Sequence, residues 1–276
     1  MKEFLSLALF ALLILVNLRC KFPFRTESSV INRFLLQSGN FYKYKRTFYV
    51  AIYDTIHNDT LKYLVTNIVY EKYDDIDTIS SWFSSWSCYK ILRTIYGENY
   101  TSTEIWWYSQ TETALLWIAY TLNYKDIPKV KSKIKFCIGK KIFSSLEELS
   151  SYLYFLRHGI MFRKSDTILW SPPKKLFALP LKIGVQWIAM TDPWLEGRKV
   201  IAKENVNVPA GKFLCLKIQI NSEWMQEKDS WYLWVKNIGI IKDSLHFGVE
   251  AYDTSGNLIG HGEGYDVYNL EDYHIE

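Results

Sequence analysis

The chain has 276 residues, a length that accommodates one large domain or two ordinary ones. Hydrophobic residues make up 49% of it and charged residues 22%, a balance that excludes a disordered chain. The net charge of +4 comes from 33 basic and 29 acidic residues, so the composition does not indicate a nucleic-acid-binding protein. The unusual figure is the aromatic content of 17%.

The N-terminus has the pattern of an export signal. Lys2 precedes a predominantly apolar run over residues 4–16. About a dozen apolar residues behind a positive charge are typical of the central region of a secretory signal. The run falls short of the roughly 20 residues that a membrane-spanning helix needs. We therefore predict an exported cell-envelope protein in which residues 1–19 are a signal or anchor segment.

Cys20 directly follows this segment, at the place where a bacterial lipoprotein is cleaved and acylated. Leu18 and Arg19 stand where lipoprotein signals usually have small residues. Positive charge after the apolar run also opposes the usual orientation bias of membrane segments. Cys20 is thus the candidate lipidation site, and an uncleaved anchor and release as a soluble protein stay open beside it.

The region after Cys20 changes from a helical to a strand pattern. Apolar residues share one helical face over residues 28–37, and Gly39 follows them, which predicts a short helix. Residues 41–53 and 61–73 are rich in Tyr, Val, Ile and Thr, with turn residues between them at 57–59. These two segments predict a β-hairpin.

A second, longer helix has clear start and stop signals. Ser145 and Glu148 have the spacing of a capping box, and Gly159 is a C-terminal stop. Between them leucines recur three and four residues apart, at Leu146, Leu149, Leu153 and Leu156.

The last third of the chain has the most regular strand pattern. Apolar residues alternate strictly over residues 214–220, and the loop at 253–257 carries Gly256 at a turn position. About a dozen antiparallel strands exceed the usual sheet of four to six, and a sheet that large must coil, split or close. We predict a mainly β (α+β) fold: a large coiled antiparallel sheet that forms an open half-barrel with one covering helix.

The composition does not shift along the chain, which favours one main domain. The predicted organisation is a signal or anchor segment at 1–19, a tether and short helix at 20–38, a single half-barrel domain at 39–268 and a tail at 269–276.

Three segments resemble motifs of uncharacterised bacterial envelope proteins: residues 179–187 (LPLKIGVQW), 207–213 (NVPAGKF) and 231–242 (WYLWVKNIGIIK). Those proteins are similar to the lipoprotein-carrier superfamily typified by LolA, LolB and LppX. The resemblance covers about residues 165–265. It implies an unclosed antiparallel barrel with a helical lid over an apolar cavity, and a carrier function.

The residues themselves show no catalytic constellation. The sequence has no G-x-S-x-G, H-E-x-x-H or G-x-x-x-x-G-K-[ST] motif. His261 and Glu263 share one face of a strand, but we interpret the glycines around them as room for bulky cross-strand neighbours. The three cysteines after Cys20 are far apart and form no C-x-x-C motif. We therefore predict no enzyme activity, no metal site and no cofactor.

Tryptophans are the candidate ligand-binding residues. Trp106 and Trp107 are adjacent in a strand and must point to opposite faces, so that both faces are apolar. The second face is then either covered or lines a cavity, and ligand sites are concave and largely apolar. The candidate cavity residues are Trp107, Trp117, Trp187 and Trp231.

These observations lead to one main hypothesis and two rivals. The main hypothesis is a lipid-anchored, non-enzymatic envelope protein that contacts the membrane through its N-terminus. Its half-barrel binds a lipid, a lipoprotein acyl chain or another apolar ligand. The alternative is an envelope scaffold or interaction module with a solid core and no ligand. A hydrolase with an unrecognised active site is a third.

Overall fold

A computed structural model describes residues 30–81, 84–98, 100–123, 134–160 and 167–276. Within these ranges fourteen strands form one antiparallel sheet, and one helix packs against it. The elements in chain order are β1 (Phe41–Asp54), β2 (Asp59–Ser80), β3 (Ser85–Tyr96), β4 (Thr101–Gln110), β5 (Ala114–Asn123), β6 (Lys135–Ile138), β7 (Lys141–Phe143), α1 (Leu146–His158), β8 (Ile168–Ala178), β9 (Gln186–Met190), β10 (Glu196–Val208), β11 (Gly211–Ser222), β12 (Ser230–Lys236), β13 (Gly239–Tyr252) and β14 (Leu258–His274).

The sheet curls into a nearly closed barrel. Its strand order is β8-β5-β4-β3-β2-β1-β14-β13-β12-β11-β10-β9, with β6 and β7 branching from β13. The two end strands meet, because the Trp187 indole on β9 donates a 3.1 Å hydrogen bond to the Lys175 carbonyl on β8. Arg198 of β10 donates to the Leu176 carbonyl at 2.8 Å. The predicted mainly β fold is confirmed, and these contacts close the half-barrel further than we predicted.

Alternation along the strands places one face of the sheet inside the barrel. On β1 every second residue from Tyr42 to Asp54 is buried, as the period of two in a strand requires. The β1–β2 hairpin is confirmed, with Phe41 opposite Lys72 and Asp54 opposite Asp59. Most of the inner residues are apolar, and they form two large clusters toward the two ends of β1.

Helix α1 lies against the inner face of the barrel. The predicted cap is present: the Ser145 hydroxyl accepts from the Glu148 N–H at 3.2 Å, and the Glu148 carboxylate accepts from the N–H of Ser144, one residue before the N-cap, at 2.7 Å. Gly159 ends the helix with a φ of 70°. Eight of its 13 residues are buried, and Glu148 is its one exposed residue. A helix that is buried nearly all round is part of a core rather than a lid over one.

The short helix predicted over residues 28–37 is wrong for its described part. Residues 30–37 form no helix, and residues 38–39 lie in a turn. We call residues 30–40 the crossing segment because they run across one end of the barrel. Ile31 exchanges two backbone hydrogen bonds with Leu181, and the Leu35 N–H donates to the Asn237 carbonyl. These partners belong to distant parts of the chain, and they take the backbone groups that a helix would pair internally.

The C-terminus also differs from the prediction. Strand β14 continues to His274, which pairs with Phe41 of β1, so most of the predicted tail at 269–276 belongs to the sheet.

The predictions about membrane attachment concern residues outside the described ranges. Cys20 and the predicted signal or anchor segment lie outside the described residues. In the described ranges, no helix combines the length and hydropathy that crossing a membrane requires.

Substitution of Gly264 on β14 tests how tightly the inner face of the sheet is packed. A Cβ atom on Gly264 would lie 2.1 Å from Cζ of the buried Phe247 ring, whereas a Cβ on Gly248 of the neighbouring strand would meet nothing within 4 Å. We expect Gly264→Ala to lower the free energy of unfolding by about 1–3 kcal/mol through overpacking. The matched Gly248→Ala should leave it unchanged or slightly raised. Urea denaturation measures both, and equal values for the two variants would contradict the described packing.

Candidate functional site

Charged side chains cross the inside of the barrel between the two apolar clusters. We call them the buried charged layer; all are buried except Glu71, which is partly buried. Its cations are Arg46, Arg93, Arg157, Lys174 and Arg198, and its acids are Glu71, Glu104, Glu196, Asp243 and Asp266. A buried charge is costly unless it is paired and hydrogen-bonded. The layer satisfies this requirement in three groups.

The first group centres on Asp266 of β14. Arg46 binds this carboxylate with two hydrogen bonds of 2.8 and 3.0 Å, a bidentate arrangement. Arg157 of α1 reaches the same carboxylate at 2.7 Å and also pairs with Asp243. Burial would raise the pKa of Asp266, but the two guanidinium groups outweigh burial and hold it below its ordinary value. Asp266 therefore joins the helix to the sheet as a charged group.

The second group centres on Arg93 of β3. Its Nε lies 3.2 Å from Glu71, and its Nη1 donates to the Tyr154 hydroxyl of α1 at 2.7 Å. Tyr154 in turn donates to Glu104. Burial raises the pKa of both glutamates, and Arg93 counteracts it only in part. One guanidinium thus faces two carboxyl groups whose environment favours protonation.

The third group centres on Glu196 of β10. Lys174 donates to one carboxylate oxygen at 3.2 Å, and Arg198 donates to the other at 2.8 Å. Lys174 also donates to the His158 carbonyl at the end of α1, at 3.4 Å. Burial lowers the pKa of Lys174 to about 8, and the adjacent Glu196 carboxylate opposes this shift. Two cations here share one carboxylate.

Tyr268 stands where the first two groups meet. The Cζ atoms of Arg157, Arg46 and Arg93 lie 5.1, 5.5 and 5.8 Å from the centre of its ring. Guanidinium groups at this distance are attracted to the ring face. The Tyr268 hydroxyl is buried and has no hydrogen-bond partner among the described residues.

His158 ends α1 inside an aromatic enclosure. Its ring centre is 4.6 Å from that of Tyr154 and 5.0 Å from that of Trp106. Its Nε2 lies 3.5 Å from Nη1 of Arg93. Burial and the nearby arginines hold the pKa of His158 well below its ordinary value, so it is neutral and its Nε2 can accept a hydrogen bond from Arg93.

A cavity opens beside these groups. Its volume is about 110 Å³. Phe34 and Leu36 of the crossing segment line it, as do Trp106, Trp117 and Phe177. Its charged lining consists of Arg93, Arg157, Lys174, Arg198, Glu71 and Asp243. The cavity therefore has an aromatic wall and a wall formed by the charged layer.

The predicted tryptophans divide between the cavity and other parts of the structure. Trp117 and Trp231 line the cavity. Trp107 does not: it packs on the opposite face of β4 with Cys88 and Ile118. Its neighbour Trp106 takes the inner position, because residues of the same parity on β4, such as Glu104, face inward.

Trp187 also does not line the cavity. It lies in the apolar cluster that contains Phe48 and Val50, and its indole N–H donates a hydrogen bond to the Lys175 carbonyl of β8.

The buried charged layer was not predicted from the sequence. The strand pattern of β1 does contain an indication of it. Arg46 occupies an inner position among apolar residues, in the series Tyr42, Tyr44, Arg46, Phe48 and Val50. A charge at one step of an otherwise apolar alternation indicates a buried charge that requires a partner.

The histidine and cysteine residues outside the cavity have ordinary environments. His261 lies 3.6 Å from Glu250, and Glu263 pairs instead with His246 at 3.3 Å. Across the part of the chain that the structure describes, no group of three or more His, Cys, Asp or Glu side chains could hold a metal ion. Cys88, Cys137 and Cys215 are buried free thiols.

The family comparison supports a similarity for the C-terminal part only. Residues 186–263, from β9 into β14, match the model of the DUF3108-like family. The match lies within the region that resembles the envelope proteins, but it does not confirm a relation to LolA or LolB.

One similar solved structure is a Bacteroides fragilis protein with a YmcC-like fold that is described as presumed to be exported. The two chains are 15% identical, the alignment covers 88% of this chain and 99% of that one, and the TM-score is 0.34. No curated protein matches the sequence.

Substitution of Asp266 tests whether the buried charged layer stabilises the fold. Asp266→Asn leaves the Arg46 and Arg157 guanidinium groups buried without their shared carboxylate, and removing one partner of a buried pair typically costs about 3–5 kcal/mol. We expect a loss of that size in the free energy of unfolding, measured by urea denaturation.

The control is Glu271→Gln on the same strand, which removes a partly exposed ion pair with Lys43. Such pairs contribute at most about 1 kcal/mol. A loss for Asp266→Asn no greater than for the control would show that the layer does not hold the helix in the barrel.

Proposed function

We propose that this is an exported cell-envelope protein whose barrel binds a small, largely apolar ligand. The cavity between the crossing segment and the end of α1 carries the proposal. It is lined by aromatic rings such as Trp106, Trp117 and Phe177, which suit an apolar molecule. A solid barrel would have no reason to keep a space there, because protein interiors are close-packed.

The volume limits the size of the ligand. One water molecule requires roughly 10–15 Å³ of such space, so 110 Å³ holds about seven to eleven groups of that size. A chain of about eight carbon atoms fits, whereas a full-length acyl chain does not. At roughly 0.8 kcal/mol per buried CH₂, such a chain contributes on the order of 6 kcal/mol before ordering costs.

A scaffold function is the second candidate. Apolar clusters fill the interior on both sides of the charged layer, and the remaining cavity is small for a ligand site. In this alternative the barrel is a rigid support, and an outer surface binds another envelope protein.

Chain length tests the ligand-binding proposal. We expect octanoate and 1-octanol to raise the melting temperature in a concentration-dependent way, because a ligand that binds only the folded state stabilises it. Hexadecanoate should not, since it exceeds the cavity.

A cavity-filling variant provides the internal control for binding. Leu176→Trp places an indole on a residue that lines the cavity and should weaken octanoate binding at least about tenfold. Leu169→Trp, on the exposed part of the same strand, should leave it unchanged. Circular dichroism verifies that both variants fold. If no eight-carbon probe stabilises the wild-type protein, the scaffold alternative is favoured.

Export and lipidation require a separate test. We propose that Cys20 is acylated after removal of residues 1–19. The intact mass of the protein from the membrane fraction should equal that of a chain beginning at Cys20 plus a lipid group. Cys20→Ala should then remain uncleaved at this position. A membrane-bound full-length chain would indicate an uncleaved anchor, and an unmodified mature chain in the soluble fraction would indicate release.

A further inference from the structure

The third group of the charged layer has more positive than negative charge. Lys174 and Arg198 both bind Glu196, and all three side chains are at most 4% exposed. In the first group two arginines face Asp243 and Asp266, and in the second Arg93 faces two glutamates. Over the described residues the layer has five cations and five acids, and the group of Lys174, Arg198 and Glu196 is the one of the three in which cations outnumber acids.

These two cations border the cavity directly. Both line it, together with Trp117 and Phe177. The Lys174 ammonium group has three N–H donors, and its hydrogen bonds go to Glu196 and to the His158 carbonyl. One donor remains available to a group inside the cavity.

Other buried donors at the cavity wall also lack a hydrogen-bond partner. In the described ranges, the Tyr268 hydroxyl and Nε of Arg157 have none, and both residues line the cavity. Buried polar groups are nearly always hydrogen-bonded, so unpaired donors indicate an acceptor that occupies the space. The unpaired donors, and the two cations that share the single carboxylate of Glu196, both favour an acceptor that carries negative charge.

We propose that the ligand carries one anionic group, a carboxylate, which binds between Lys174 and Arg198 while its apolar part lies against the tryptophans. This inference rests on the proposed ligand-binding function and specifies the chemistry of the ligand: a short-chain or aryl-substituted carboxylic acid. An ammonium group is disfavoured at this wall because it would meet two buried cations with one carboxylate between them. A neutral hydroxyl accepts a hydrogen bond but does not supply a second anionic partner for the two cations that share Glu196.

Three probes with the same eight-carbon chain separate this inference from the proposed function. They are octanoate, 1-octanol and octylammonium, measured by isothermal titration calorimetry with the wild-type protein at pH 7. We expect octanoate to bind about tenfold more tightly than 1-octanol, the effect of one charge-assisted hydrogen bond, and octylammonium to bind most weakly.

Two lysine variants test whether Lys174 is responsible for the preference for octanoate over 1-octanol. Lys174→Met should bring the ratio of octanoate to 1-octanol affinity close to one. Lys175→Met, the same change one residue along β8 at a position that does not line the cavity, should retain the tenfold ratio. The wild-type comparison decides the matter even if Lys174→Met does not fold.

The three possible negative results of these binding measurements are distinguishable from one another. Equal binding of octanoate and 1-octanol by the wild-type protein would overturn the carboxylate inference and leave the cavity as a site for neutral apolar molecules. A ratio that Lys174→Met does not alter would overturn the assignment of the anion to this wall. No binding of any of the three probes would overturn the proposed function itself.

Discussion

The structure depends on the ion pairs that join α1 to the inner face of the barrel. Arg157 of the helix and Arg46 of β1 share the carboxylate of Asp266, and Arg46 also donates to the Ser150 carbonyl of α1. A barrel of this size cannot be filled by its own inward-facing side chains alone, and a helix placed inside must be oriented. Apolar contacts are non-directional, whereas bidentate guanidinium–carboxylate pairs fix a position and a rotation. The charged layer thus determines which way the helix lies.

The same layer also forms one wall of the cavity, through Arg93, Arg157, Lys174 and Arg198. Where the layer meets the aromatic rings around Trp106 and Trp117, a space remains that neither set of side chains fills. Stability and the candidate binding site are therefore properties of one set of residues.

Much of this fold could be predicted from local patterns. The alternation on β11, the capping box of Ser145 and Glu148, and the β1–β2 hairpin depend on neighbouring residues, so the sequence contains the relevant information. Residues 30–37 show the limit of such patterns. Their apolar spacing fits a helix, but Leu181 and Asn237, which are remote in sequence, bind their backbone and keep it extended.

The candidate site was predictable only in part, for a similar reason. The sequence indicated that tryptophans on inner strand faces surround a cavity, and it placed Trp117 and Trp231 among them. It could not distinguish Trp106 from Trp107, because both faces of β4 carry large apolar residues and only the packing of the barrel shows which face is inside.

By itself, then, the sequence determined the strands, the helix and the aromatic character of the interior, because each follows from the spacing of residues along a short stretch of chain. The tertiary structure alone decided how far the sheet closes and that the helix lies within it. It also decided which charges meet: the partners of Arg46 and Lys174 are 220 and 22 residues away in Asp266 and Glu196. Long-range pairing of this kind depends on the assembled barrel, and no local pattern specifies it.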